Sequence, residues 1–243
     1  MTRLDKYLAN AGAGTRTTVK DILKAGRVKV NGVVVKDGAS KITDTDVVVL
    51  DNTVITFEKY RYYMLNKPAG CVSATKDRLS DTVLDFFKGE DMKDFFPVGR
   101  LDKDTEGLLL ITNDGELAHN LLSPKKHVEK TYFVTVDKKI TNEAKRKIEN
   151  CIDIGDDKPC LPAKVETIDD NNCFIVISEG RFHQVKRMFA SAGYEVVYLK
   201  RVKMGTLELD EELEKGCFRK LDGKEINELK GDKEYGKRNE TEV

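Results

Sequence analysis

One segment organises the rest of this 243-residue chain: Gly99-Arg100-Leu101-Asp102-Lys103-Asp104-Thr105-Glu106-Gly107-Leu108-Leu109-Leu110-Ile111-Thr112-Asn113-Asp114-Gly115. A tight acidic turn between two glycines leads into a continuous apolar run, which is typical of a short buried strand. Residues that tolerate left-handed turns then close the segment. A carboxylate on a stiff loop beside a buried strand is well placed for chemistry, because the core fixes its position. The spacing leaves a second interpretation open, a hairpin whose aspartates are solvated.

The composition is that of a soluble globular protein with a highly charged surface, with 40% hydrophobic and 35% charged residues. Formal net charge is zero, so nucleic-acid binding would require a local basic patch. No apolar run approaches the roughly 18 to 20 residues of a membrane-spanning helix. The charged N-terminus lacks the apolar core of a secretion signal. We therefore expect a cytoplasmic protein with no membrane partner.

The cysteines and histidines do not cluster into a ligand pattern. The chain has five cysteines, none in a Cys-x-x-Cys pair, and three scattered histidines. This usage fits reduced thiols in a cytosolic protein and gives no sign of a structural zinc site. No glycine-rich phosphate loop or dinucleotide fingerprint is present. We predict chemistry that needs neither a metal nor a cofactor.

Residues 1–58 are predicted to form a small separate domain with the order α-α-β-β-β. Gly12-Ala13-Gly14 ends a first helix, and Thr15 is placed to cap a second. Asn31-Gly32 between valine-rich runs predicts a hairpin. Up to residue 36 the segment carries eight basic side chains against two acidic ones, Asp5 and Asp21.

Three of these cations lie on or beside the second predicted helix, namely Arg16, Lys20 and Arg27. A shared face of such residues can neutralise phosphates and would make binding sensitive to salt. An ordinary solvated helix is the alternative. The concentration of positive charge in a neutral chain favours the patch.

The first domain resembles the ribosomal-protein-S-four-like RNA-binding domain. The resemblance rests on Arg3-Leu4-Asp5-Lys6-Tyr7-Leu8, Gly14-Thr15-Arg16 and Gly26-Arg27-Val28-Lys29-Val30-Asn31-Gly32. It implies contact with RNA, and it implies no particular activity.

Residues 59–229 are predicted to form a second domain. Strand patterns alternate with helices without regular βαβ spacing, which favours a mixed, mainly antiparallel sheet with flanking helices. The predicted fold class is thus α+β. Residues 230–243 are charged and lack a hydrophobic pattern, so they are predicted to be a disordered tail.

Two further positions in this domain are candidates for substrate contact. Lys67, in Asn66-Lys67-Pro68-Ala69-Gly70, faces either a substrate phosphate or water. Tyr132 begins a strand directly after basic residues, an arrangement that can stack a base and hold its phosphate. A core tyrosine is the alternative at that position.

Four ordered motifs of the second domain resemble the RsuA-type RNA pseudouridine synthases. They are the Gly99–Leu109 part of the opening segment, Asn66-Lys67-Pro68-Ala69-Gly70, Lys130-Thr131-Tyr132 and Glu179-Gly180-Arg181-Phe182-His183-Gln184-Val185-Lys186-Arg187-Met188-Phe189. With the N-terminal domain, the resemblance covers almost the whole chain. The last motif is similar to that of the group that modifies small-subunit ribosomal RNA.

The resemblance implies a role for each matching residue. Asp102 is the catalytic aspartate, Tyr132 stacks on the target uracil, Lys186 pairs with the aspartate, and Leu199 lines the apolar wall behind the base. Arg100, Arg181 and Arg187 are candidates to hold the RNA backbone. For Arg100 a salt bridge within its own loop is an equal alternative, and for His183 capping or packing is favoured over proton transfer, because no partner is identifiable in the sequence.

The resemblance therefore implies an rRNA pseudouridine synthase, most specifically one acting on small-subunit (16S) rRNA and contributing to ribosome biogenesis. Isomerisation of uridine needs no redox change, consistent with the missing cofactor motifs. The alternatives are a large-subunit (23S) rRNA pseudouridine synthase and a non-catalytic RNA-binding ribosome-assembly factor. We expect a monomer whose partner is ribosomal RNA or an assembling ribosomal subunit.

Overall fold

The computed structural model describes residues 1–43, 45–56 and 58–231. The chain divides into two compact units, Met1–Lys59 and Tyr60–Val243. Of the predicted tail, residues 232–243 lie outside the described residues. Among the described helices, none is both long and apolar enough to cross a membrane.

The first unit packs two helices on short strands around a core that includes Leu4, Leu8, Val19 and Leu23. Thr15 caps the second helix, where its hydroxyl accepts a hydrogen bond from the Thr18 N–H. The predicted hairpin at Asn31-Gly32 is confirmed. The elements are α1 (Leu4–Asn10), α2 (Arg16–Lys24), β1 (Thr2–Arg3), β2 (Val28–Val30), β3 (Val33–Val34), β4 (Lys41–Ile42), β5 (Val48–Leu50) and β6 (Thr53–Ile55).

Within residues 60–231, the second unit is built on a sheet of nine strands. Seven of them follow the order β11-β12-β10-β13-β9-β7-β15, while β14 pairs with β13 and β8 with β9. All pairs are antiparallel except β13 with β9, so the predicted mixed, mainly antiparallel sheet is confirmed. The strands are β7 (Tyr62–Lys67), β8 (Phe96–Pro97), β9 (Glu106–Thr112), β10 (Lys130–Val136), β11 (Lys164–Thr167), β12 (Asn172–Ile177), β13 (Val196–Met204), β14 (Leu207–Glu208) and β15 (Phe218–Lys220).

The central strand β9 is buried on both faces, which explains its unbroken apolar run. Leu109 and Ile111 belong to one apolar cluster, and Leu108 and Leu110 belong to another on the opposite face. The apolar side chains of the neighbouring strand β7 also alternate between the two clusters. The acidic turn that precedes β9 is therefore anchored by the core of the whole unit.

Helices α3 (Gly115–Leu122), α4 (Asn142–Glu149), α5 (Gln184–Ser191) and α6 (Gly223–Lys230) flank the sheet, with two short 3-10 turns at Val83–Phe86 and Pro124–Lys126. The alternative of a hairpin with solvated aspartates is confirmed in part, because β8 pairs antiparallel with β9 across the acidic loop and Asp104 is exposed, but Asp114 is buried. The Asp114 carboxylate caps α3 by accepting hydrogen bonds from the N–H groups of Glu116 and Leu117. The sequence predicts a short helix over 118–122, and the structure begins this helix three residues earlier, at Gly115.

The parallel contact between β9 and β13 depends on a glycine. Gly107 has a φ of +98°, and a Cβ atom at this position would lie 2.2 Å from the carbonyl oxygen of Arg201. Only a residue without a side chain fits here, because both the backbone conformation and the distance exclude a Cβ. This close approach brings the end of the acidic turn against β13.

Candidate active site

Hydrogen bonds hold the acidic loop on both sides of Asp102, and those between Ser73 and Leu101 are buried. The Ser73 hydroxyl donates to the carbonyl oxygen of Leu101 at 2.8 Å and accepts from its N–H at 3.0 Å. The Gly70 N–H donates to the carbonyl oxygen of Lys103 at 2.7 Å. The position of the Asp102 carboxylate is therefore set by the protein interior, as a reacting group requires.

Lys67 lies completely buried beneath this loop. Its ammonium donates to the carbonyl oxygens of Asp102 at 3.1 Å, Thr105 at 2.9 Å and Pro68 at 3.0 Å. Burial lowers the pKa of Lys67, because desolvation disfavours the charged form. The prediction that Lys67 faces either a phosphate or water is therefore wrong: its charge supports the backbone of the acidic loop.

The Asp102 carboxylate faces two groups from helix α5 and the residue before it. Nζ of Lys186 lies 3.8 Å from Oδ2 of Asp102, and Nε2 of His183 lies 3.5 Å from Oδ1. The same ammonium is 2.5 Å from Oδ1 of Asp104. This hydrogen bond from Lys186 lowers the pKa of Asp104. The Lys186 ammonium therefore lies close to two carboxylates. Asp104 is largely exposed, whereas Asp102 is not.

A cleft of about 1010 Å³ opens beside Asp102. Tyr132 on β10 and Leu199 on β13 line it, and both side chains are buried. A carboxylate, an aromatic ring and an apolar wall in one concave site suit a planar, partly polar ligand such as a nucleobase. The structure thus brings Asp102, Tyr132, Lys186 and Leu199 to the same region.

Arg181 and Arg187 have partners inside the protein. Nε of Arg181 lies 3.1 Å from Oε2 of Glu179, and its NH2 nitrogen donates to the carbonyl oxygen of Pro159 at 2.7 Å. Arg187 forms an ion pair with Asp156 at 2.6 Å, and the hydrogen bond from Arg187 lowers the pKa of that carboxyl. Both guanidinium groups therefore tie the segment before β11 to helix α5 and its N-terminal turn.

The remaining predicted cations lie in different surroundings. Arg100 is exposed and lines the cleft, and no ion pair joins it to another residue in the described ranges. Arg16 and Lys20 are exposed on α2 in the first unit. Arg27, by contrast, is hydrogen-bonded to the carboxylate of Asp51, which raises the pKa of Arg27.

His183 precedes α5 in a left-handed conformation, with a φ of 48°, and its side chain makes no capping hydrogen bond. Of the two predicted roles, capping or packing, the structure shows packing, because the imidazole stacks on a neighbouring ring, whereas the side chain caps no backbone N–H group. The imidazole of His183 also approaches Asp102, and it stacks on the Phe182 ring with 3.8 Å between centroids. No spacing rule links these positions, because the contact with Asp102 forms only when α5 packs beside the acidic loop.

Two buried cations that line the cleft were missed in the sequence. Lys130 donates to the carbonyl oxygen of Val128 at 2.9 Å, and Arg201 donates to that of Leu108 at 2.8 Å. Burial, with a further contribution from the charge of Arg201, lowers the pKa of Lys130. Strand alternation could have identified both cations, because residues two apart in a strand lie on the same face of the sheet. Lys130 lies two residues before Tyr132, and Arg201 lies two residues after Leu199.

Comparison with family models identifies the class of protein. Residues 61–191 match the RNA pseudouridylate synthase family, and residues 2–48 match the S4 domain. The chain belongs to the RNA pseudouridylate synthase family, and it is an isomerase that acts on RNA. The resemblance drawn from the motifs is confirmed in both parts of the chain.

Individual relatives agree over nearly the full length. The chain is 46% identical to the uncharacterized RNA pseudouridine synthase YtzG of Bacillus subtilis (strain 168), with 93% of this chain and 98% of YtzG covered. It is 42% identical to ribosomal small subunit pseudouridine synthase A of Haemophilus influenzae, with 93% and 99% covered. A crystal structure of a pseudouridylate synthase, 41% identical, superposes with a TM-score of 0.68 over 94% of this chain and 100% of that one.

Proposed function

We propose that this enzyme converts a specific uridine of small-subunit (16S) ribosomal RNA to pseudouridine, with Asp102 as the catalytic aspartate. The observation that carries the proposal is the position of Asp102, on a loop supported from below by Lys67 and facing Lys186 at the cleft. The small-subunit target is supported by relatives named ribosomal small subunit pseudouridine synthase A, at 42% identity in Haemophilus influenzae and 40% in Vibrio cholerae.

In the proposed reaction the bond between the ribose anomeric carbon and uracil N1 breaks, and a bond from the same carbon to uracil C5 forms. C5 loses a proton and N1 gains one, so no oxidant, reductant or external group is consumed. Asp102 acts either as a nucleophile at the anomeric carbon or as a base at the ribose. Both paths need the ionised carboxylate. The Lys186 ammonium lies 3.8 Å from this carboxylate and supplies a neighbouring positive charge.

Tyr132 and Leu199 are proposed to hold the detached uracil. The target base must leave its stack before it reaches Asp102, at a cost of a few kcal/mol. Stacking on Tyr132 returns about 1 to 3 kcal/mol. Leu199, on the neighbouring strand, supplies an apolar surface that keeps the base from solvent.

The RNA contacts are proposed to extend beyond the cleft. Arg16 and Lys20 lie exposed on α2 of the unit that contains the S4 domain, and they can neutralise phosphates of the substrate. Arg100 is proposed to do the same at the cleft. Arg181, Arg187 and Arg27 act chiefly through the carboxylates that they already contact.

The test is to map pseudouridines in ribosomal RNA from cells with and without this protein. We expect one site in small-subunit RNA to be lost, restored by the wild-type gene and left unmodified by Asp102→Asn. Asp104→Asn is the matched control, because it removes the same charge from the same loop at a largely exposed position; we expect it to restore the site.

Each other outcome has a definite meaning. Full modification by a folded Asp102→Asn variant would refute the role of Asp102. Loss of a site in large-subunit RNA would reassign the target, and rRNA binding without the loss of any site would indicate a non-catalytic assembly factor.

A further inference from the structure

Phe182 presents an aromatic ring to solvent at the edge of the cleft. Its side chain is 69% exposed, and it lines the cleft that contains Asp102. The ring lies nearly parallel to the His183 imidazole, with 19° between the planes and 3.8 Å between centroids. Because the imidazole covers one face, the exposed surface is the ring edge and the opposite face.

The backbone and its contacts fix this ring relative to the proposed catalytic carboxylate. The carbonyl oxygen of Phe182 accepts a hydrogen bond from Arg187 at 3.2 Å, and Arg187 is itself held by Asp156. On the other side, Nε2 of His183 lies 3.5 Å from Asp102. The stacked pair Phe182–His183 therefore lies beside Asp102, and its backbone is hydrogen-bonded to helix α5.

The reaction creates a need for such a ring. When a uridine leaves the base stack, its neighbours in the strand lose a stacking partner on one side. An aromatic side chain at the mouth of the cleft can take the vacated place, because any base offers a flat π surface. The free aromatic face of Phe182, in the cleft that contains Asp102, meets this requirement.

We propose that Phe182 stacks on a nucleobase adjacent to the target uridine and so holds the RNA open at the cleft. The inference rests on the proposed function of the Asp102 site. Charge favours RNA as the occupant over an apolar protein segment, because the exposed cations Lys103 and Arg100 line the same cleft and Lys186 lies at Asp102.

The first test separates stacking from simple apolar contact. We expect Phe182→Ala and Phe182→Leu to weaken the Kd for in vitro transcribed small-subunit rRNA about 5- to 150-fold, and Phe182→Tyr to bind within about twofold of the wild type. Leucine keeps an apolar side chain but lacks a ring. Wild-type affinity in Phe182→Leu would overturn the proposal. Because the side chain is exposed, we expect all three variants to keep the wild-type Tm.

The second test uses the absence of tryptophan from the sequence. Phe182→Trp introduces a single indole, whose fluorescence a stacked nucleobase quenches. Val197→Trp is the control, since Val197 is 59% exposed on β13 and does not line the cleft. We expect the same rRNA transcript to quench the emission of Phe182→Trp and to leave that of Val197→Trp unchanged. Equal responses of the two variants would contradict the stacking contact.

Failure of this inference can be distinguished from failure of the proposed function. If the wild-type protein forms pseudouridine in small-subunit rRNA and the Phe182 variants bind that RNA normally, only the stacking contact is refuted. If the wild type forms no pseudouridine in any rRNA, the proposed function itself is refuted.

Discussion

At the scale of single residues, Tyr132 gives the most direct test of how the cleft holds a base. Its side chain is buried and lines the cleft, so the ring is already fixed before substrate arrives. Tyr132→Phe keeps the ring, and we expect it to lose much less single-turnover rate than Tyr132→Ala. The alanine variant should lose about 5- to 150-fold from stacking alone.

The measurement is pseudouridine formation in a single turnover with excess enzyme, accompanied by the Tm of each variant. A buried aromatic residue replaced by alanine also leaves a cavity, which destabilises the fold by about 3 to 5 kcal/mol. The comparison is therefore made well below the Tm of Tyr132→Ala. Equal losses in the two variants would argue against stacking as the role of the ring.

Motifs in the sequence identify candidate site residues more readily than the groups that these residues contact. Asp102, Tyr132 and Leu199 were identifiable from motif and resemblance, and all three line one cleft. The environment of Lys67 was not predictable, because its buried ammonium is stabilised by backbone carbonyls that carry no sequence signature. His183 was underestimated for a similar reason, since its approach to Asp102 depends on tertiary packing.

At the scale of secondary structure, strong local signals predicted most of the long elements. Asn31-Gly32 predicts the hairpin that the structure shows, and Thr15 predicts the start of α2. The two-residue strands β1 and β4 were not predictable, because each exists only through its pairing with the other. The start of α3 was missed since Asp114 is equally typical of a turn and of a helix cap.

The junction of β9 with β13 predicts a sharp difference between two glycines. Gly107→Ala places a methyl group 2.2 Å from a backbone oxygen at a φ of +98°, so we expect destabilisation of about 2 to 4 kcal/mol. Gly115→Ala lies in α3, where a Cβ meets nothing within 4 Å. That variant should be neutral or more stable by about 0.5 to 1 kcal/mol.

Thermal or urea unfolding of both glycine variants checks this prediction. Gly107→Ala should also lose activity at temperatures at which it remains folded. The added methyl group would displace β13, and this strand contains Leu199 and Arg201, which line the cleft. A Gly107→Ala protein as stable as the wild type would show that β13 can move away from β9 without cost.

At the scale of the whole molecule, the N-terminal unit is expected to contribute affinity. We expect deletion of residues 1–58 to weaken rRNA binding and to make log Kd less dependent on log salt concentration, because fewer phosphate contacts remain. In the full chain, Arg16→Ala with Lys20→Ala should reduce the salt slope by about 1 for each lost phosphate contact. Filter binding of rRNA at several salt concentrations measures both effects.

Arg27→Ala provides the comparison for these substitutions. It removes one positive charge from the same unit, but that charge is already paired with Asp51, so we expect a smaller change in slope. Unchanged affinity and salt dependence after the deletion would show that the second unit alone accounts for RNA binding.

The sequence does not predict the order of the strands in the large sheet, although it does predict that the sheet is mixed and mainly antiparallel. Irregular spacing of strands and helices favoured antiparallel pairing, and the sheet is mainly antiparallel. The contact between β9 and β13 depends instead on complementary packing between distant segments. A glycine at position 107 is compatible with the close approach of another strand, but it does not identify which strand approaches.

This parallel pairing also bears on how the protein is made. Arg201 on β13 donates to the carbonyl oxygen of Leu108 on β9, across a separation of 93 residues in sequence. Contacts between such distant segments form late in folding, because a long loop must close first. Synthesis proceeds from the N-terminus, so the unit that contains the S4 domain emerges from the ribosome while the cleft still lacks the wall formed by β13. A nascent chain can therefore expose RNA-binding surface before it possesses a site able to modify RNA.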